Sequence, residues 1–487
     1  MSEPTPSPMS RRDVAIGFGW TALFNFIVKA VFPLAALYNA RTLGPSLLGI
    51  AATLQMILMF SEIFREAGLP QTYMADHEMD EKKEAGYVGM AYLSGFVPAL
   101  VVLALTPLLT KFFKTPELMW SMPVISVVLC LNGMATISVA KMLKQGRIKE
   151  HGMIGVSVGA VVLAITIAMV ALGVGFPALV FQMAAGSIAT NLLIARRCPV
   201  PRPSFDRHAV VSTFRRTWAV LLANGLNNVF LLFDIFVITR LLGNVAAGYY
   251  NVAQNLAYKP FEFVSSPLAR TLLVAFSQSA ADMERLRRAF CKAVTAVVIM
   301  VIPVYFVTGF CADAIIGILY GHQFFGAIAT LQILSIYIAF RTIGNLGGTA
   351  LVPAGKHRWT LYPWILALAV TGTGLALIWN QPTLERIVWC FTAGAITIYG
   401  TVMIVAFRFL PPMKEDLAKL LKAVFVTGVS GTLIALSPAL AIAPWLRLLL
   451  VILLVPPLHF VLLGTILAKR PLSYLTPSGF KELWKGL

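Results

Sequence analysis

The sequence predicts an all-α polytopic membrane protein, and three observations lead to this fold class. First, 58% of the 487 residues are hydrophobic and only 12% are charged, whereas soluble domains carry about 25% charged residues. Second, apolar segments long enough to cross a bilayer recur along the chain. Third, one motif occurs twice, with an offset of 199 residues between its copies.

A membrane-spanning helix needs about 20 mainly apolar residues, and by this rule the chain has about fourteen spans. The spans of the first half are expected at residues 14–38, 46–67, 85–110, 119–141, 153–174 and 177–195. Those of the second half are expected at 216–239, 246–274, 290–311, 325–349, 359–379 and 384–407, followed by a pair at 417–437 and 445–468.

The repeated motif reads RTLGPSLLGIAATLQ at residues 41–55 and RLLGNVAAGYYNVAQ at residues 240–254. An arginine, a leucine, two glycines and a glutamine keep their spacing in both copies. Each copy lies between two apolar segments, so each is predicted to be a tight turn between membrane helices. A chain that repeats such a unit has two related halves, as many transporters do.

The domain organisation follows from this repeat. The Pro- and Arg-rich stretch 196–216 has no apolar run and is the natural linker between the halves. We expect two pseudo-symmetric lobes of about six helices each, at residues 1–209 and 210–409. An accessory helix pair and a cytoplasmic tail would follow at 410–487. Because one chain carries both lobes, a monomer is sufficient.

The formal net charge of +18 is distributed as membrane topology requires. The Lys and Arg residues lie almost all between apolar segments, and most fall on one side if the N-terminus is cytoplasmic. Both termini are therefore predicted to be cytoplasmic. The same distribution argues against nucleic acid as a partner, because the basic residues follow the loops rather than one binding face.

The sequence carries no motif for catalysis or metal binding. There is no GxxxxGK[ST] phosphate loop, no HExxH and no metal-ligand spacing, and the five cysteines form no CxxC pair. We therefore expect no enzymatic activity, no cofactor and no metal site.

Cations inside predicted spans are candidates for function, because an unpaired charge in a bilayer is costly. Lys29 lies in the first span, Lys259 in the eighth and Arg341 in the tenth. Each also has a structural interpretation. Lys29 has a stem long enough to reach an interface, Lys259 is spaced to pair with Glu262, and Arg341 precedes a GNLGG sequence that allows close helix approach or a bend.

Acidic and amide residues accompany these cations. Glu62 lies near the end of the second span, where it is spaced to pair with Arg65. Asp234 lies in the seventh span, where it would either couple an ion or neutralise a neighbouring cation. Asn25 and Asn224 occupy equivalent positions of the two repeats. Such polar residues on the repeated helices indicate a wet cavity, although amides in membranes also form hydrogen bonds between helices.

A resemblance to a known family is carried by Lys29, the first copy of the motif and SEIFREAGLPQTYM at residues 61–74. The chain resembles the MOP exporter superfamily. Within it, the chain resembles the bacterial polysaccharide (oligosaccharide-lipid) flippases of the Wzx type. In that family the first loop typically reads R-x-L-G/S-P-x-x-x-G, as Arg41, Leu43, Gly44, Pro45 and Gly49 do here. The second copy departs from the pattern, because an asparagine replaces the proline.

The resemblance implies a V-shaped bundle in the bacterial inner membrane, with a lateral gate between spans one and eight. By alternating access it would flip an undecaprenyl-diphosphate-linked oligosaccharide to the periplasmic leaflet, for export of lipopolysaccharide O-antigen, capsule or exopolysaccharide. Polymerases and glycosyltransferases of the same pathway would be its partners. The expected substrate-binding residues are Lys29, Lys259, Arg341, Asn25 and Asn224. The expected ion-coupling residues are Asp234, Glu62 and Glu262.

Alternative functions remain open at this stage. A multidrug or organic-cation antiporter of the same superfamily would favour an acidic cavity, whereas bases match or outnumber acids in these spans. A lipid II flippase would carry a more arginine-rich cavity. A membrane polysaccharide polymerase or ligase would need a sizeable periplasmic loop, and this interpretation leaves the internal repeat unexplained.

Overall fold

The computed structural model describes residues 36–62, 68–76, 79–206, 211, 213–215, 232–265, 276, 282–356, 359, 361–437 and 442–467. These residues form helices joined by short turns, and no strand occurs among them. The predicted all-helical fold class is therefore confirmed. The first predicted span, 14–38, lies almost entirely outside the described residues.

The chain divides into two compact units, Met1–Gly248 and Tyr249–Leu487. The first unit contains α1 (Ala36–Glu62), α2 (Leu69–Ala75), α3 (Glu81–Phe113), α4 (Leu118–Lys144), α5 (Ile148–Ala171), α6 (Phe176–Arg197) and α7 (232–242). Helix α8 (Asn244–Pro260) begins in the first unit and ends in the second, where a π-helical turn at Phe261–Ser265 continues it. The lobes predicted at 1–209 and 210–409 stay a prediction.

The second unit continues with a series of helices, one of them interrupted. They are α9 (Met283–Met300), α10 (Ile302–Phe310), α11 (Ala312–Leu319), a 3₁₀ turn (His322–Ala327), α12 (Ile328–Leu351), α13 (Leu361–Leu377), α14 (Leu384–Phe409), α15 (Lys414–Leu436) and α16 (Pro444–Leu467). Helices α15 and α16 are called the C-terminal pair below.

The described helices have the length and surface of membrane spans. Ten helical segments of the described residues are long and apolar enough to cross a bilayer, and Tyr362–Leu377 is a shorter apolar helix. Large apolar side chains within the helices, such as Leu108, Val161 and Ile365, are exposed, and in a bilayer lipid covers them at no cost. The chain is therefore a multi-pass membrane protein, and the total of about fourteen spans stays a prediction.

Glycines form the turn in both copies of the repeated motif. Gly44 has a φ of 76° and Gly243 a φ of 83°, the left-handed region that glycine adopts without steric cost. In the first copy Gly44 turns the backbone within the α1 segment, and in the second Gly243 separates α7 from α8. The motif thus has the turn geometry that its sequence predicts.

The second glycine of each copy lets the two copies touch. A Cβ atom at Gly49 would lie 1.7 Å from the carbonyl oxygen of Asn244, and one at Gly248 would lie 1.9 Å from that of Pro45. No L side chain fits at either position without moving backbone. The α1 and α8 backbones therefore meet directly at the repeated glycines.

Charged side chains at the predicted cytoplasmic end hold the short helix α2 in place. The Tyr73 hydroxyl donates to Glu84 Oε1 over 2.8 Å, and Lys141 Nζ lies 3.0 Å from the same oxygen. Lys144 Nζ donates to the carbonyl oxygen of Asp76 over 2.5 Å. Burial, together with the Glu84 carboxylate, raises the pKa of Tyr73 above its usual value. Lys141 and Lys144, which belong to the cations that predict topology, thus also form an ion pair and a hydrogen bond that stabilise the position of α2.

Candidate functional site

Arg341, near the middle of α12, is held by aromatic side chains of the second unit. Its Nη1 donates to the hydroxyl of Tyr258 over 2.5 Å. The guanidinium carbon lies 5.1 Å from the ring centroids of both Tyr258 and Phe261, within the range of a cation–π contact. Tyr337 packs edge-on against Tyr258, with ring centroids 6.5 Å apart.

The charge of Arg341 has no carboxylate to neutralise it among the described residues. The guanidinium is buried, and its neighbours include the phenols of Tyr258, Tyr399 and Tyr337. Its Nε–H group is buried and finds no hydrogen-bond partner among the described residues. A buried donor without a partner costs about 1–3 kcal/mol. The site therefore contains a buried cation with an N–H group left to donate, and an anion is the ligand that such a group binds most strongly.

The glycines that follow Arg341 bring α14 close to it. A Cβ atom at Gly344 would lie 2.5 Å from Cβ of Tyr399, and one at Gly347 would lie 3.0 Å from Sδ of Met403. The close helix approach predicted from GNLGG is confirmed. It brings Tyr399 of α14 against the α12 segment that carries Arg341.

Lys259 and Glu262 form the ion pair that their spacing predicts. Lys259 Nζ lies 2.9 Å from Glu262 Oε2, and the side chains are 39% and 51% exposed. The pair spans the junction between α8 and the π-helical turn, directly after Pro260. Because both side chains are partly exposed, the pair does not bind neighbouring helices together as a buried bridge would. Its role in substrate binding or ion coupling stays a prediction.

Glu62 joins a polar network that links three helices of the first unit. Asn132 Nδ2 of α4 donates to Glu62 Oε1 over 3.1 Å. From α6, Ser187 Oγ and Asn191 Nδ2 both lie 2.5 Å from Asn132 Oδ1. Glu62 of α1 is thus connected to α4 and α6 through hydrogen bonds. Its expected partner Arg65 lies outside the described residues.

The other candidates are placed in part. Asp234 is 6% exposed, and its Oδ1 accepts the N–H of Ile235 over 2.6 Å at the start of α7. Lys29, Asn25 and Asn224 lie outside the described residues, so their roles stay predictions.

The first unit also contains an apolar cavity of about 740 Å³. Its walls include Phe60 of α1, Val97 of α3 and Phe236 of α7. Among the described lining residues, the hydroxyl groups belong to Ser61 and Ser94, and each donates to a carbonyl of its own helix. The described lining of the cavity therefore offers no free polar group to a phosphate or a sugar, and among the described residues the candidate head-group site is the Arg341 cluster.

Comparison with known proteins relates the chain to a family and to a fold. Residues 39–329 match the family described as "Polysaccharide biosynthesis protein". The succinoglycan biosynthesis transport protein ExoT of Rhizobium meliloti (strain 1021) is 24% identical over 432 residues, which are 87% of this chain and 85% of that protein. The lipopolysaccharide biosynthesis protein WzxC of Escherichia coli (strain K12) is 23% identical, with 72% of each chain covered.

A solved structure shows the same fold. The lipid II flippase MurJ, in an inward closed conformation, superposes with a TM-score of 0.74 over 91% of this chain and 98% of its own. Only 11% of the aligned residues are identical, so this likeness concerns the fold alone.

Proposed function

Because the chain belongs to the polysaccharide biosynthesis protein family, we propose that it flips a lipid-linked oligosaccharide across the membrane by alternating access. The resemblance to polysaccharide flippases of the MOP exporter superfamily is confirmed by the family match and by relatives named as transport or Wzx proteins. The substrate would be an undecaprenyl-diphosphate-linked oligosaccharide that is destined for a surface polysaccharide. The protein itself would perform no chemical step on it.

The observation that carries the proposal is the uncompensated charge of Arg341. A diphosphate loses its hydration when its head group enters a bilayer, and that loss is large unless a cation replaces the water. The guanidinium of Arg341 supplies charge and a planar set of N–H donors that match phosphate oxygens. An organic-cation carrier would have no use for a cation in this position, so the cluster favours an anionic cargo.

The remaining assignments belong to the same proposal. Lys29, Lys259, Asn25 and Asn224 would contribute to the substrate path. The protein would lie in the bacterial inner membrane as a monomer, with both termini cytoplasmic. Polymerases and glycosyltransferases of the pathway would act before and after it.

Removal of the gene and reconstitution of the purified protein test this function. A strain without the protein is expected to lose surface polysaccharide and to accumulate lipid-linked oligosaccharide in the cytoplasmic leaflet. In liposomes, the protein should make labelled lipid-linked oligosaccharide accessible to an added glycosidase, at a rate well above that of empty liposomes. Extension of the polymer by the purified protein, without such movement, would instead establish the polymerase alternative.

Glu62 is the acid that we propose for ion coupling, because it lies in a hydrogen-bonding network that links α1, α4 and α6. In a Glu62→Gln variant, the amide oxygen can still accept from Asn132 while the titratable charge is lost. We expect normal protein levels and a gradient-driven rate that falls at least about tenfold, equivalent to about 1.4 kcal/mol. The measurement is flipping in liposomes with and without an imposed ion gradient.

The matched control is Glu385→Gln, which alters an exposed acid in the first turn of α14. Its response to the gradient should stay near that of the parent protein. If Glu62→Gln keeps its gradient dependence while Asp234→Asn loses it, the coupling acid is Asp234 and the assignment of Glu62 is wrong.

A further inference from the structure

The membrane helix formed by α9 and α10 is broken at Val301. Helix α9 ends at Met300, and α10 begins at Ile302 with a proline in its first turn. Because Pro303 has no N–H group, the carbonyl of Ile299, four residues earlier, cannot accept its usual helical hydrogen bond. In a bilayer such a carbonyl must find another donor.

Side chains of the C-terminal pair form hydrogen bonds with two carbonyl groups at the break, one of which is the carbonyl of Ile299. His459 of α16 places Nε2 3.0 Å from the carbonyl oxygen of Ile299. Thr427 of α15 donates its hydroxyl to the carbonyl oxygen of Val298 over 3.3 Å. Both side chains are 3% exposed. Since a carbonyl oxygen only accepts, Nε2 must carry the hydrogen, and Ser430 Oγ lies 2.8 Å from the opposite ring nitrogen, Nδ1, fixing the ring.

The segment beyond the break leads directly to the Arg341 cluster. Tyr305 of α10 forms a 3.0 Å hydrogen bond with the hydroxyl of Thr342, the neighbour of Arg341 in the chain. Gly309, one turn further along α10, lies against α12, where a Cβ atom would be 3.5 Å from Cβ of Ser335. The angle at Val301 therefore decides where Tyr305 meets α12.

Ion pairs at its two ends attach the C-terminal pair to the second unit independently of the break. Arg287 of α9 lies 3.7 Å from Asp416 of α15 and donates to the carbonyl oxygen of Pro411 over 3.3 Å. At the other end, Arg447 of α16 forms an ion pair with Asp313 of α11. Loss of a single donor at the break should thus leave the pair attached to the unit.

We propose that the C-terminal pair positions the Arg341 cluster, with His459 and Thr427 as positioning residues that hold the broken helix at its working angle. The contribution to transport rests on the proposed function, whereas the contribution to helix geometry does not. Without these donors, the carbonyl groups at the break form hydrogen bonds with other groups. The angle between α9 and α10 then changes, and Tyr305 shifts along α12.

A disulfide reports this geometry without any substrate. Cysteines at positions 309 and 335, in a full-length chain whose natural cysteines are replaced, would have Cβ atoms at a separation suited to a disulfide. We expect mild oxidation in membranes to link this pair efficiently in the parent chain. His459→Leu should lose most of the link, and His459→Gln, whose amide nitrogen can replace Nε2 as donor, should restore it.

Transport is measured in the same set of variants without the added cysteines. Since one hydrogen bond is lost, His459→Leu should slow flipping about three- to tenfold, and His459→Gln should recover most of the rate. Thr427→Val provides a second test, with Thr432→Val as its control, because the Thr432 hydroxyl donates only to Gly428 of its own helix. The Thr427 pair decides the question if His459→Leu fails to accumulate as folded protein.

An unchanged disulfide yield in His459→Leu and in Thr427→Val would overturn the proposed positioning. A reduced yield with an unchanged flipping rate would overturn its coupling to transport. If the parent protein moves no lipid-linked oligosaccharide, the proposed function fails, while the disulfide yields still decide whether the C-terminal pair holds the broken helix.

Discussion

Replacement of Arg341 by alanine is expected to reduce export of surface polysaccharide about tenfold to a hundredfold, while the protein still reaches the membrane. This range follows from the loss of charge-assisted hydrogen bonds, each worth about 1.5–3 kcal/mol, at about 1.4 kcal/mol per tenfold change. Because no described carboxylate pairs with Arg341, its removal leaves no buried counter-charge behind. The variant should therefore lose function without losing its fold.

Conservative variants separate the contributions of charge and shape at this position. Arg341→Lys keeps the positive charge but loses the planar fork and its stacking on aromatic rings, so we expect partial activity. Tyr258→Phe removes only the hydroxyl that accepts from Arg341 and should have a smaller effect. The measurements are the amount of surface polymer and the flipping rate in liposomes, each normalised to folded protein.

Arg386→Ala is the matched control, since that arginine donates to the carbonyl oxygen of Gln381 at a loop. It should export polymer as the parent chain does. Normal polymer levels in Arg341→Ala would show that the aromatic cluster around this arginine serves structure alone, and the anionic-cargo argument would then have to be abandoned.

Replacement of Gly248 by alanine is expected to lower the stability and the yield of folded protein. An added Cβ atom would lie 1.9 Å from the carbonyl oxygen of Pro45, so the helices must separate to accept it. Overpacking of a core typically costs about 1–3 kcal/mol, and more when backbone has to move. We expect a lower melting temperature in mild detergent and less monodisperse protein on size-exclusion chromatography.

Gly49→Ala should behave like Gly248→Ala, because its Cβ atom would meet the carbonyl of Asn244. Gly155→Ala is the control, since nothing lies within 4 Å of the added atom. A melting temperature equal to that of the parent in both Gly49→Ala and Gly248→Ala would show that the crossing is looser than the structure indicates.

Features that depend on local chemistry could be predicted from the sequence. The apolar spans follow from residue type alone, and the turns at Gly44 and Gly243 follow from a repeated glycine at the end of an apolar segment. The Lys259–Glu262 pair was predictable because residues three apart share a helix face. Arg341 was a candidate because a charge inside a span needs a reason.

Features that depend on which helices are neighbours could not be predicted. Tyr258 and Tyr399 approach Arg341 from two other helices, and tyrosine is too common in membrane proteins to be singled out by type. Nothing in the sequence around Asn132 indicated that it links Glu62 to α6. The break before Pro303 is the clearest case, because the Ile299 carbonyl that the proline leaves without its helical donor accepts from His459, 160 residues further along the chain.

The contact between the repeated glycines is symmetric. Position 49 meets position 244, and position 248 meets position 45. With the offset of 199 residues, positions 49 and 248 are equivalent, as are 45 and 244, so the two contacts are the same contact with the copies exchanged. This is the pairing rule of an isologous twofold interface, here closed within a single polypeptide. Each copy of the motif therefore supplies half of this contact, and a change in one copy restricts the residues that the other copy can accept at the contact.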